Sequence, residues 1–226
     1  MMKISVIVPV YNEHQQLSVL VPVLNQLSQC TYEVIVVDGG SVDGTQKTLT
    51  DAGFKPMLSD AGRAAQMNYG ADIAKGDFLW FVHADTQFID HVSKYIDAIH
   101  ESKKSWGRFN VRLSGEQKIF RIIEWLINKR SAWTGIATGD QGIFVQYSLF
   151  KQIGRYDDIS IMEDVSICKK LKKIILPEVI SSPVLITSSR RWEHQGIFKT
   201  ILRMWKMRWL YFRGVSTDKL HRLYHK

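Results

Sequence analysis

Two kinds of apolar pattern alternate along the first hundred residues. Residues 3–10 (KISVIVPV) and 33–37 (EVIVV) are short β-branched runs without alternation, as in strands buried on both faces. Residues 78–82 (FLWFV) form the strongest strand of this kind. Residues 14–29 and 62–75 read as helices, and Pro22 is expected either to kink the first or to mark its true start. A weaker strand is expected over 54–58, at a sheet edge because of Pro56. Strands and helices in this order predict an α/β fold around a parallel, doubly wound sheet.

The second half is less regular. Strand-like stretches at 106–113 and 142–147 surround an apolar, helical 117–130. A helix over 163–173, a strand over 179–187 and a long basic amphipathic helix over 196–213 follow. No linker stands out, so one domain spanning 1–226 is expected. Within it, 1–100 forms a nucleotide-binding half, 101–195 an acceptor half, and 196–226 the C-terminal helix and a tail.

Composition narrows the class. With 45% hydrophobic and 23% charged residues, disorder and a disulfide-built miniprotein are poor fits. Cys30 and Cys168 lie far apart in no metal-ligand spacing and read as reduced core thiols of a cytoplasmic protein. The run Ile4–Val10 is too short for a signal peptide and is interrupted by Pro9. No stretch of about 18 apolar residues suits a membrane span. The formal charge is +8, and Lys199, Arg203, Lys206, Arg208 and Arg213 crowd an acid-free stretch. That helix also aligns Ile197, Phe198, Ile201, Leu202, Trp205, Trp209 and Phe212 on one broad stripe. Packing against the core or a second copy is placed ahead of peripheral contact with an anionic membrane. No zinc spacing or RNA-binding signature accompanies the charge, so nucleic acid is not an expected partner.

In an open α/β sheet, ligands bind beyond the carboxyl ends of the strands. Tyr11-Asn12-Glu13 follows the first strand, Asp38 to Thr45 (DGGSVDGT) the second, and His83-Ala84-Asp85-Thr86 the strand FLWFV. Each segment alone could be a turn or helix cap, the ordinary use of such residues. Three of them at successive strand ends point to a ligand site.

VIVPVYNE (6–13), VVDGGSVDGT (36–45), GRAAQMNYGADIAKGDFLWFVHADT (62–86) and MEDV (162–165) resemble the signature of glycosyltransferase family 2. GRFNVRLSG (107–115), TGIATGDQGIFV (134–145) and TSSRRWE (187–193) resemble a short subfamily, some of whose members are associated with arsenosugar biosynthesis. The resemblance implies a GT-A fold: a Rossmann-like, mostly parallel sheet flanked by helices, with an irregular acceptor half. It also implies inverting sugar transfer from a nucleoside-diphosphate donor, usually UDP-linked, with Mn²⁺ or Mg²⁺. Arg191-Trp192 resembles the end of the Q-x-x-R-W motif of processive members, but Ser188 replaces the glutamine, which favours transfer of a single sugar. The acceptor stays open among a small molecule, a polyprenyl phosphate and a protein.

By the same resemblance, Pro9, Tyr11 and Glu13 would frame the nucleoside pocket. Asp38 would meet the base, since a carboxylate can accept the imide N–H of uracil. Asp43 is as readily a cap as a contact, and Arg63 would face the base or diphosphate. Asp85, beside Ala84, matches the last acid of the family's D-x-D metal motif. His83 stands where the first acid often does and is open between ligand, ribose contact and packing. His194 is a further candidate ligand. Asp164 matches the catalytic base, with an acid at a helix N-terminus as its plain alternative. Asp140, Gln141, Arg191 and Trp192 are acceptor-side candidates. Two rivals remain. A sugar nucleotidyltransferase would need a glycine-rich loop that VPVYNE does not offer, and a non-catalytic nucleotide-sugar-binding module would suit the broken acid pair.

Overall fold

The computed structural model describes residues 2–224, and the side chains of Arg191 and His194 lie outside the described residues. Strand β1 (Ile4–Val10) leads through a short 3₁₀ turn to helix α1 (Leu17–Cys30). There follow β2 (Glu33–Asp38), α2 (Thr45–Asp51), β3 (Met57–Leu58), α3 (Arg63–Ile73) and β4 (Phe78–Phe81). The second half comprises β5 (Gln87–Phe88), α4 (Val92–His100), β6 (Trp106–Leu113), α5 (Lys118–Thr134), β7 (Phe144–Gln146) and α6 (Tyr147–Gln152). It closes with α7 (Glu163–Leu171), β8 (Glu178–Thr187), α8 (Arg190–Gln195), α9 (Ile197–Phe212) and α10 (Thr217–Tyr224).

Eight strands form one sheet in the order β3-β2-β1-β4-β7-β6-β8-β5. β1 pairs in parallel with both β2 and β4. The chain therefore leaves β1 toward one side and returns on the other, which opens a crevice at the carboxyl ends of β1 and β4. β7 runs antiparallel to β4 with Phe144 opposite Trp80, so the segment entering β7 lies beside the segment leaving β4. β6 and β8 are parallel to each other, and β6 is antiparallel to β7. Their carboxyl ends consequently point to the same rim.

Both faces of the sheet are covered, which is why every residue of β1 is buried. Ile4, Val6, Val8 and Val10 face α1 and α4, packing on Leu20, Leu24, Tyr95 and Ile99. Ile7 faces the other layer, with Met67 of α3, Phe150 of α6 and Ile167 of α7. α3 sits close because Gly70 meets Ile7, where a Cβ would come within 2.6 Å of Cγ2. A third cluster joins Leu113, Phe120, Ile123 and Trp192, with Ile197, Ile201 and Met204 of α9 against it.

Several expectations change. Of the two roles expected for Pro22, it does not mark the helix start: α1 begins at Leu17 and runs through it. The expected tail after residue 213 contains α10, with Leu220 fully buried. The apolar stripe of α9 is split. Ile197 and Ile201 pack inward, whereas Phe198, Leu202, Trp205, Trp209 and Phe212 face solvent.

Candidate active site

The rim after β1 and β2 is built by the loops binding one another. Asn12 holds a left-handed backbone, φ 53°, a conformation asparagine tolerates. Its N–H donates to Ser41 Oγ at 2.8 Å, and its Oδ1 accepts from Val42 N at 2.9 Å. Glu13 N donates to Thr45 Oγ1 at 2.9 Å and His14 N to Asp43 Oδ2 at 2.9 Å. Asp43 also accepts from Thr45 N at 3.0 Å and Thr45 Oγ1 at 2.6 Å, so its carboxylate serves the turn. Asp38 is fully buried and accepts from Ser41 N, Ser41 Oγ and Gln46 Nε2. Gln66, which sequence reasoning passed over, donates from Nε2 to Val10 O at 2.7 Å and Val37 O at 2.9 Å. It ties the ends of β1 and β2 together. Pro9 and Ala84 are buried backbone supports, while Tyr11 is half exposed at the rim.

Acids from four segments meet along the same crevice. Glu13 has a carboxyl raised above its ordinary value by burial and by the charge of Asp85. Asp85 is itself raised by burial, an effect that Asp140 reinforces and Arg63 opposes. Arg63, at the start of α3, acts on Glu13, His83, Asp85 and Glu163, and so is the common cation of the cluster. His83 is held neutral, its pKa pushed down to about 3 by burial and then by Arg63.

The 3₁₀ turn Gly139–Gln141 stands beside this cluster at the entrance to β7. His83 packs directly on Gly139, where any Cβ would collide with ring Cε1 and Nε2. Gly139 N donates to Asp164 Oδ2 at 3.1 Å, and Val165 N to Asp164 Oδ1 at 2.7 Å. Asp164 is raised by burial, an effect countered by these N–H groups and by Arg208. Its neighbour Glu163 is raised to about 7 by burial and by the charge of Asp164. Met162, just before them, is left-handed at φ 70°. Arg130 of α5 is lowered to about 10 by burial and by Arg208, and both arginines lie in the field of Asp140 and Asp164. Asp140 Oδ1 and Arg130 Nη2 are buried without a hydrogen-bond partner.

Asp85, Asp140 and Asp164 are thus brought together with Glu13 and Arg63. Gln141 is not on the open face. It is fully buried, with Oε1 accepting from Thr138 N at 3.1 Å and Nε2 donating to Ser131 Oγ at 3.0 Å. Trp192 is also no acceptor platform, because it fills the core cluster under α5. The side chains of Arg191 and His194 lie outside the described residues. Glu163, Arg130 and Arg208 stand beside Asp140 or Asp164 and were not singled out in the sequence.

Residues 5–151 match the family model described as "Glycosyl transferase family 2". An uncharacterized glycosyltransferase of Mycobacterium tuberculosis is 31% identical over 163 residues, covering 68% of this chain and 60% of the relative. The undecaprenyl-phosphate 4-deoxy-4-formamido-L-arabinose transferase of Yersinia enterocolitica is 27% identical over 161 residues, 64% of this chain and 48% of the relative. The chain therefore spans about half to three-fifths of the length of these relatives. Among solved structures, glucosyl-3-phosphoglycerate synthase from Mycobacterium tuberculosis in complex with Mg²⁺ and UDP matches with a TM-score of 0.59. It is 13% identical, and the match covers 83% of this chain and 70% of that one.

Proposed function

This chain belongs to glycosyl transferase family 2, and from that premise we propose that it moves one sugar from a nucleoside-diphosphate donor, a UDP-sugar, to an acceptor by inverting displacement. The observation that carries the reading is the convergence of Asp85, Asp140 and Asp164 on one crevice, with Gly139 N pinning Asp164. The loops after β1 and β2 cradle the nucleoside, with Tyr11 and Glu13 at its edge and Asp38 holding the floor. Arg63 suits the diphosphate.

Asp164 is the proposed general base. A carboxylate offers about four acceptor positions, and the two backbone N–H groups use two of them. One of the rest can take the proton of the acceptor hydroxyl as its oxygen attacks the anomeric carbon. The bond from that carbon to the phosphate oxygen breaks, and the nucleoside diphosphate leaves with the electron pair. Attack from the face opposite the leaving group inverts the anomeric centre.

The residues present fit a divalent cation. A hard ion needs oxygen ligands, and Asp140 has a buried carboxylate oxygen without a partner in the field of Asp85. Among the described residues no three His, Cys, Asp or Glu side chains form a metal-binding group. Asp85, with Asp140, would therefore hold Mn²⁺ or Mg²⁺ jointly with the donor's diphosphate. The ion would supply neutralisation of charge on the departing diphosphate.

The test is calorimetry of UDP binding with and without Mn²⁺, extended to GDP and to Asp85→Ala. Wild type should bind UDP in a metal-dependent manner, and Asp85→Ala should weaken that binding at least about tenfold while the protein still folds. Equal UDP affinity with and without metal in both proteins would remove Asp85 from a metal site. A preference for GDP would overturn the uridine donor. Donor binding without transfer to any acceptor or water would leave a binding module.

A further inference from the structure

The outer side of α5 and α9 is apolar where nothing among the described residues covers it. On α5, Ile122, Trp125, Leu126 and Trp133 are exposed, Trp133 to 91%. They recur at three- and four-residue steps along one side of the helix, with Lys129 among them. On α9, Phe198, Leu202, Trp205, Trp209 and Phe212 repeat the pattern, with Trp205 73% exposed. The two helices are neighbours, because Ile119, Ile123 and Ile127 share a cluster with Ile197, Ile201 and Met204. The chain holds seven tryptophans. Trp80, Trp106 and Trp192 are buried, and the other four all lie on this surface. Their exposure therefore owes nothing to the core.

Charge decides what covers it. Lys118, Lys129, Lys199, Lys206 and Arg213 flank the apolar residues and reach solvent. Arg213 lies over the Trp209 ring at 5.3 Å and Lys169 over Phe212 at 4.4 Å. α9 contains no acid. The one acid of α5, Glu124, is buried, accepting from Leu113 N at 2.6 Å and pairing with Arg121 at 3.0 Å. Neither helix turns a negative charge outward. A second copy would set this cationic rim against itself, whereas an anionic lipid surface neutralises it and accepts tryptophans at headgroup depth. No helix among the described residues is long and apolar enough to cross a membrane, so contact would be lateral.

We infer that the α5–α9 face docks on an anionic lipid bilayer. The inner sides of the same helices carry Arg130 and Arg208 toward Asp140 and Asp164. Docking thus sets the catalytic acids about one helix diameter, ~10 Å, above the headgroups. On the transfer reading, the acceptor is presented at that surface. The docking itself does not depend on that reading.

The experiment is co-sedimentation of the full chain, without donor, on vesicles of phosphatidylcholine with about 30% phosphatidylglycerol, against vesicles of phosphatidylcholine alone. Binding is expected at low salt on the anionic vesicles and should fall at least about tenfold near 0.5 M salt, where the Debye length is only a few ångströms. Lipids brominated near the headgroup should quench tryptophan emission. Trp205→Ser combined with Trp209→Ser should weaken vesicle binding at least about tenfold, with circular dichroism and UDP affinity unchanged because both side chains are exposed. Failure to sediment at low salt would overturn the inference, as would undiminished binding by the double variant. So would a stable dimer in sedimentation equilibrium that the double variant abolishes. None of these measurements involves transfer, so loss of the glycosyltransfer reading would leave them standing.

Discussion

The two sides of the crevice are built on opposite principles. On the side of β1 and β2, polar groups satisfy one another: Asn12 with Ser41 and Val42, Asp43 with His14 and Thr45, Asp38 with Ser41 and Gln46, Gln66 with two strand-end carbonyls. On the side of α5, α7 and the turn before β7, buried groups are left wanting. Asp140 Oδ1 and Arg130 Nη2 have no partner, and Glu163 and Asp164 are ionisable neighbours raised by burial. Buried polar atoms without partners are costly, on the order of 1–3 kcal/mol each, so they persist where a ligand or reaction uses them. The first side is satisfied within itself, and the second keeps buried groups without partners.

That contrast is broken most sharply at Asp164. Asparagine has nearly the same size but only one acceptor oxygen, so it can keep the bond from Gly139 N or the one from Val165 N. Asp164→Asn should cost the fold on the order of 1–2 kcal/mol and leave UDP affinity nearly unchanged. It removes the proton acceptor, and kcat should fall about 10²–10⁴-fold. Steady-state kinetics with an identified acceptor will check this. A variant retaining more than about a tenth of wild-type kcat would return Asp164 to the role of a helix N-terminal acid.

The same contrast explains what could be read beforehand. The donor side is local: Tyr11 to Glu13 and Asp38 to Thr45 are contiguous residues directly after apolar runs, so strand ends could be inspected in sequence. Asp85 followed the most apolar strand for the same reason. Asp164 and Asp140 were legible only through resemblance, because the first turn of α7 brings one to the rim and the short turn before antiparallel β7 brings the other. Arg130 and Arg208 gave no signal. Each is one base among several on a basic helix, and which of them points inward is set by packing against the third core cluster. Trp192 was read through the resemblance, and its place in the third core cluster depends on α5 and α9 packing around it, which local sequence does not show. Elements as short as β5 and α6 carry too few residues for a period to show.

A second break tests whether the second side depends on close approach. Gly139→Ala drives a methyl group into the His83 ring, so either the imidazole or the turn must move. Overpacking of this kind typically destabilises by about 1–3 kcal/mol. Displacing the Gly139 N–H also frees the Asp164 carboxylate, and kcat should fall about ten- to a hundredfold. Thermal melts with kinetics will separate the two effects. Normal kcat in a merely destabilised variant would show that the hydrogen bond does not orient the base.

The smallest expected effect concerns stability rather than rate, and it asks whether the acids on this side strain the fold. Glu163 is raised from its ordinary 4.5 to about 7, first by burial and then by the charge of Asp164. Between those values the folded protein binds a proton that the unfolded chain has already lost. Stability therefore falls as pH rises from about 4.5 to about 7, and the penalty is constant above that. Glutamine mimics the protonated acid at every pH. Glu163→Gln should thus be nearly neutral near pH 4 and stabilising at pH 8 by on the order of 2 kcal/mol. For a chain of this size that is a rise in Tm of roughly 4–8 °C. Thermal unfolding of both proteins at the two pH values gives the comparison. A Tm difference that does not grow with pH would mean that Glu163 ionises without penalty, and the strain would then rest with Asp164.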